Sequence, residues 1–383
     1  MTEATTNEKV TEQSPTGRRR LIQALALGLM FVVPLLLAEL TVRLVFDVPS
    51  PDARRKLALR YQPALFARHI FPATRQRVDK YRINRLGYRG AEFEPAKRPG
   101  VIRVMIYGGS QVFDPFCDEE QQWPHRLQLA LGALGRRDVE VINAGIPGHA
   151  SFDSLGRLLT EGHRFSPDVV ILDNAWNDIK GFGSRRALLR SLAPYEPKID
   201  RRLVYANRVD RFFSRYSQLY RLLRNAYLRR TLDAGLEGRR RQGELSSTLQ
   251  PSALRQYGLV IETFVDLVRN IGAHPIVMLQ PRLATATLAA TLRAKIRYRY
   301  TGLTHEALVR AFGETDRLLR AVAKKKNVPL FEAEIDGQGE LFVDHVHLTP
   351  KGSALLARKL ARFLLPLLAS RPRTLPGPAK PGP

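Results

Sequence analysis

Five short apolar runs, rich in β-branched residues, punctuate the chain: Val101 to Tyr107, Val139 to Asn143, Asp168 to Asp173, His274 to Gln280 and Val328 to Phe331. They do not alternate apolar with polar positions, so they read as strands buried on both faces. Between them, Trp123 to Leu134, Ser151 to Phe165, Ser252 to Ile271 and His305 to Lys325 carry apolar residues at three- and four-residue spacing, the pattern of amphipathic helices. Strand and helix in alternation predict an α/β fold, a three-layer α/β/α sandwich around a five-stranded parallel sheet. In such sheets the working residues gather just beyond the carboxyl ends of the strands.

A different pattern opens the chain. Leu21 to Ala38 is interrupted only by Gln23 and Pro34, and apolar residues resume after Glu39 through Leu44, Val45 and Phe46. That length spans a bilayer, and Glu39 and Arg43, four apart, can pair on one helix face near its end. A cleavable signal peptide is the alternative; the run is long for one and Ala38-Glu39-Leu40 is a poor cleavage site, so an uncleaved transmembrane signal anchor is expected. Arg18, Arg19 and Arg20 precede the helix and predict a cytoplasmic amino terminus, with the globular domain on the periplasmic side of a single-pass inner-membrane protein. Arg54, Arg55, Lys56 and Arg60 beyond the helix weigh the other way.

The expected organisation is a polar, disordered segment 1–20, the anchor 21–46, a juxtamembrane lead-in 47–99, one large domain 100–370 and a loose Pro-rich tail 371–383. Within the domain, residues from about 184 to 250 form an Arg-dense insertion with interleaved aromatics such as Phe212, Phe213, Tyr216 and Tyr220. It reads as a solvated helical pair, or as a lid or a surface that leans on anionic lipid. The chain carries 61 Lys and Arg against 36 Asp and Glu, a net charge of +25 that favours an anionic neighbour. No nucleic-acid-binding motif accompanies that charge, so a membrane surface is the expected partner and nucleic acid is not. Cys117 is the only cysteine, which excludes an internal disulfide and a thiolate-built zinc site; it is expected to be a half-buried thiol near a helix start.

Four loops carry candidate chemistry. The first strand runs into Gly108-Gly109-Ser110, which sets a serine on a tight turn at a strand end. The second leads to Asn143-Ala144-Gly145-Ile146-Pro147-Gly148-His149, whose glycines free the backbone to present an N–H to an anion. The third ends in Asn174-Ala175-Trp176-Asn177-Asp178, supplying an Asn amide and an Asp suited to capping. Each of these also suits ordinary turn chemistry. The fourth, Asp344-His345-Val346-His347-Leu348-Thr349-Pro350, precedes a helix for which Thr349 is N-cap and Pro350 first residue. There Asp344 can take a hydrogen bond from one nitrogen of His347 while the other faces a serine. Reading Asp344, His345 and His347 as metal ligands finds no matching cluster in the other loops, and neither metal nor organic cofactor is expected.

In order and spacing these segments resemble the sequence blocks of the GDSL/SGNH hydrolase superfamily, over Val101 to about Leu368. The stretch Tyr81 to Gly90 is similar to the lead-in of its membrane-anchored members. The resemblance implies a flavodoxin-like SGNH fold and a serine esterase. Ser110 is the implied nucleophile, Asp344 and His347 its relay, and Ser110, Gly148 and Asn177 the oxyanion-hole donors. The implied substrate is an O-acyl, above all O-acetyl, ester of an envelope glycan or lipid. Alternatives are an O-acyltransferase for a surface polysaccharide and an inert binding module on the same fold. The chain departs from the family at Gly109, where the name motif has Asp, and at Ala175, where the third block has Gly. These departures put the first and third turns in question. The acidic loop Gln111 to Glu120, with Asp114 and Asp118, is a candidate for tuning substrate choice.

Overall fold

The computed structural model describes residues 17–53, 61–63, 70–72, 75–78, 81–185, 188–189, 204–240 and 245–369. The amino-terminal polar segment up to residue 16, the basic stretch 54–60, parts of the insertion and the Pro-rich tail lie outside the described residues.

The five strands of the main sheet are β1 (Ile102–Gly108), β2 (Val139–Gly145), β3 (Val169–Asp173), β4 (His274–Met278) and β5 (Leu330–Phe331). All are parallel and run in the spatial order β2-β1-β3-β4-β5. The helices Trp123–Ala133 and Pro350–Ala369 pack together on one face, and Ser151–Thr160, Pro251–Asn270 and His305–Lys326 on the other. Strands buried from both sides explain the unbroken apolar runs: Val104 through Tyr107 and Val170, Ile171 and Leu172 are inaccessible to solvent or nearly so. The expected strands and long helices are present with ends shifted by a residue or two, except that the stretch from Ser151 breaks at Thr160 and continues as a 3-10 turn, Gly162–Phe165.

Register decides where the loops emerge. Gly108 on β1 pairs with Gly145 on β2 and with Asp173 on β3, so three strands end level. The strand order reverses direction about β1, and the chain leaves β1 and β3 on opposite sides of a crevice at the carboxyl edge. Ser110, Gly148 and Asn177 all follow within four residues of those ends.

The described chain divides into two compact units. One holds the sheet. The other groups the apolar helix Gly17–Val45 with two helices of the insertion, Arg208–Tyr216 and Gln218–Arg240. From Arg19 to Val45 the first helix is long and apolar enough to cross a membrane, and its most apolar 18 residues, with a mean hydropathy of 2.5, include none that is buried. Length and composition of this kind suit an anchor and a signal sequence alike.

Candidate active site

Ser110 begins a single-turn helix, Ser110–Phe113, immediately after β1. Its far end is tied down by Arg89 from the lead-in, a fully buried side chain whose guanidinium donates to the carbonyls of Phe113, Asp114 and Cys117. A helix this short cannot hold itself, since almost all of its carbonyls lack intrahelical partners. Arg89 supplies donors at its end, and its guanidinium lies 4.9 and 5.1 Å from the rings of Tyr81 and Phe113, which meet edge to face. Asp114, at a left-handed φ of 60°, accepts from the Trp123 N–H and the Ser353 hydroxyl. It is buried with its carboxylate toward the core, so within the acidic loop Gln111 to Glu120 it is Asp118 and Glu120 that are exposed. Cys117 is wholly buried against Ser353 rather than half exposed, and burial pushes its thiol up to about 12.

On the opposite side of the crevice the loop Phe342 to Thr349 delivers the relay. An antiparallel bridge joins Phe342 and Leu348, and the Val343 N–H donates to the His347 carbonyl at 2.8 Å. Thr349 caps the helix that follows, its hydroxyl accepting from the Gly352 N–H. His347 Nδ1 lies 2.8 and 2.9 Å from the two Asp344 oxygens, and its Nε2 lies 2.7 Å from Ser110 Oγ. An ionised carboxylate only accepts, so Nδ1 carries the proton and Nε2 is left to accept from the serine hydroxyl. Burial would raise the Asp344 carboxyl, but the His347 hydrogen bonds and charge outweigh it and hold it at about 2. The aspartate is therefore ionised at neutral pH.

His345 has a different role. It stacks on Trp176 at 3.8 Å, and burial pushes its imidazole down to about 3, so it is neutral. Asp344, His345 and His347 do bring ligand atoms within 4.8 Å of one another. Both nitrogens of His347 are nevertheless engaged, by Asp344 and by Ser110, which leaves neither free for a metal.

The third corner of the crevice belongs to Asn177. Its Nδ2 donates to the His149 carbonyl at 2.9 Å, and its Oδ1 accepts from the Tyr300 hydroxyl at 2.7 Å. The His149 carbonyl also accepts from Asn174 Nδ2. Here the departure at Gly109 finds its reason. A Cβ at that position would stand 2.5 Å from Asn177 Nδ2 and 2.8 Å from the His149 oxygen, so only glycine lets the amide come this close to the nucleophile turn. Ala175 has φ −157°, a backbone that needs no glycine, and its neighbour Trp176 is fixed by an N–H bond to Gln280 Oε1 at 2.7 Å. The third loop therefore needs no glycine at that step. Gly148 is exposed at φ +88°, a left-handed conformation that glycine tolerates. Asp178 closes the corner by accepting from the N–H and hydroxyl of Ser151, the first residue of the helix Ser151–Thr160.

The structure thus joins Ser110, His347 and Asp344 in one chain of hydrogen bonds and sets the Asn177 amide against the turn that carries Ser110. Three contributors escape the sequence: Arg89, Gln280 and Tyr300. Arg89 sits inside the stretch Tyr81 to Gly90, but two further arginines, Arg82 and Arg85, share it and nothing in the sequence singles Arg89 out. Gln280 and Tyr300 carry no local signature.

No family model and no curated protein sequence matches the chain. Among solved structures it is similar to a lipase/acylhydrolase from Enterococcus faecalis (15% identity, TM-score 0.40, covering 69% of this chain and 95% of that one). It is likewise similar to an aryl esterase from M. smegmatis (17%, 0.40, 70% and 100%) and to a catalytic mutant of an acetylxylan esterase from Geobacillus stearothermophilus (14%, 0.42, 70% and 95%). Likeness at this level does not assign an activity; the arrangement around Ser110 is what speaks to chemistry.

Proposed function

We propose that the chain is a membrane-anchored serine esterase that cleaves O-acyl esters through an acyl-enzyme intermediate. One observation carries this reading: the Ser110–His347–Asp344 relay, with bonds of 2.7 and 2.8 Å. His347 takes the Ser110 proton as Oγ attacks the ester carbonyl carbon, and then returns it to the departing alcohol. Water, deprotonated by the same imidazole, releases the acid and regenerates the serine. The N–H groups of Ser110 and Gly148 and the second amide hydrogen of Asn177 are the donors for the oxyanion.

An O-acetyl ester on an envelope glycan is the substrate we favour. Two exposed aromatic rings flank the nucleophile: Phe116 stands edge-on to His347 at 5.3 Å, and Tyr300 is held beside Asn177. Rings of this kind give a sugar an apolar face to stack on, and a serine that is only half buried at an open rim suits an ester borne on a polymer. The apolar helix Gly17–Val45 would hold the domain at the inner membrane, and Arg18 to Arg20 favour its periplasmic side.

The test is a fluorophosphonate probe applied to the full chain in detergent. Labelling of Ser110, lost in Ser110→Ala, is the expected result; equal labelling of both proteins, or none where an active serine esterase is labelled, would sink the proposal. Comparing acetate release from an acetylated glycan with acetyl transfer to an added glycan then separates hydrolysis from transfer.

A further inference from the structure

The helix Arg208–Tyr216 is built inside out for a surface in water. Val209, Phe212, Phe213 and Tyr216 recur at three- and four-residue spacing, which places them on one stripe, and they are 60, 58, 45 and 57% exposed. Two polar side chains of the same helix point inward. Asp210 and Ser214 are buried, with Asp210 paired to Arg224 at 2.7 Å and accepting from the hydroxyls of Ser214 and Tyr220. A helix covering a solvated body buries its apolar stripe; this one buries Asp210 and Ser214 and leaves four large apolar side chains in the open. Arg208, Arg211 and Arg215 lie beside the stripe, exposed, and none pairs with a carboxylate among the described residues.

A second observation says what covers the stripe. Glu39 lies near the carboxyl end of the apolar first helix, where its carboxylate accepts from the Ser217 hydroxyl and from the N–H groups of Gln218 and Leu219, at 2.7 to 2.9 Å. Arg43, one turn further on, donates to Glu39 and to the Tyr216 carbonyl, both at 2.6 Å. The end of one insertion helix and the start of the next are thereby fastened to the last turns of the first helix. Those turns are where a spanning helix leaves the hydrocarbon, and charged side chains and aromatic rings concentrate at that depth.

We propose that the helix Arg208–Tyr216 lies in the headgroup region of an anionic phospholipid bilayer, with its apolar stripe toward the acyl chains, beside the point where the first helix emerges. The proposal rests on the reading of that helix as a membrane anchor. Aromatic and aliphatic side chains along one face with Arg beside it are what an interfacial helix needs, and each Arg near an anionic surface adds attraction.

The full chain is reconstituted in nanodiscs containing about one-third phosphatidylglycerol, carrying a fluorophore on Phe212→Cys or, separately, on Leu29→Cys. The native Cys117 thiol is buried and does not compete for label. Leu29 lies ten residues before Glu39, about 15 Å deeper along the helix. Lipid-borne quenchers are placed either near the headgroup or near the chain ends. The expected result is stronger quenching of the Phe212 label by the shallow quencher and of the Leu29 label by the deep one. A Phe212 label that neither lipid quencher touches, while the Leu29 label is quenched, overturns the proposal: accessibility to aqueous iodide then means a solvated stripe, and shielding from it a protein contact. A Leu29 label untouched by lipid quenchers refutes the anchor itself.

Discussion

The two sides of the crevice are made in opposite ways. On the relay side, Asp344 and His347 belong to one loop, closed by its own backbone bonds and capped by Thr349. On the oxyanion side, Asn177 is positioned by His149 and Tyr300, against a glycine on a fourth segment, with Gln280 holding the neighbouring backbone. Each side also contains an aspartate, and the two are pushed apart. Asp344 is held at about 2 by its histidine, whereas burial drives Asp173 up to about 8 against a single Gln280 hydrogen bond. Under the proposed mechanism the ionised Asp344 is the fixed negative charge behind the imidazole, while Asp173 stays neutral below the third loop.

The relay side is broken most simply. Ser110→Ala and Asp344→Asn are each expected to lower kcat for an aryl acetate on the order of 10^4-fold with the melting temperature nearly unchanged. A loss below about tenfold for either would mean that the relay is not the working part. The oxyanion side gives the sharper contrast. Gly109→Asp introduces the residue of the motif that this turn resembles, yet its Cβ would stand 2.5 Å from Asn177 Nδ2. Kinetics on the folded variant should show kcat reduced roughly 10^2- to 10^3-fold, the worth of a displaced oxyanion donor; unchanged or improved activity would show that the amide has no such role.

This difference in construction also explains what could be read from the sequence. The alternation of apolar runs and amphipathic stretches specified the parallel sheet, because strands buried on both faces and helices buried on one have distinct periods. The relay loop was legible because its chemistry and its capping signals, Thr349 and Pro350, lie within seven residues. Tyr300 was not: it is 123 residues from Asn177, on a single-turn helix, and nothing near it in the chain announces a partner. Nor was the burial of Asp114 and Cys117 visible, since that depends on Ser353, more than 230 residues away. The inverted stripe of Arg208–Tyr216 was visible as an Arg-rich aromatic segment, but which face turned inward depends on the Asp210–Arg224 pair.

Tyr300→Phe probes the oxyanion side more gently. The ring keeps its stack on Trp176 at 5.6 Å, while the hydroxyl that fixes Asn177 Oδ1 is lost. The expected outcome is a fall in kcat of roughly tenfold with KM little changed, because the loss falls on a donor strengthened only in the transition state. A purely packing role would leave kcat intact in the Phe variant.

The smallest effect, and one on stability alone, is expected from Asp173→Asn. One oxygen of the Asp173 carboxyl accepts from Gln280 Nε2 at 3.3 Å, and the other is buried without a hydrogen bond. Through the other end of the same Gln280 amide it supports the Trp176 N–H and so the loop that carries Asn177. The folded carboxyl keeps its proton up to about pH 8, whereas in the unfolded chain it is released near pH 4. Between those values the native state binds more protons, so stability falls as pH rises. Asparagine has no proton to lose, so relative to the wild type the variant should gain stability as pH rises from 5 to 8, by up to about 1.4 kcal/mol per pH unit. The gap in melting temperature between the two, for the full chain in detergent, should shift in the variant's favour over that range. A gap that does not change with pH would mean that Asp173 is not held neutral, and the contrast with Asp344 would disappear.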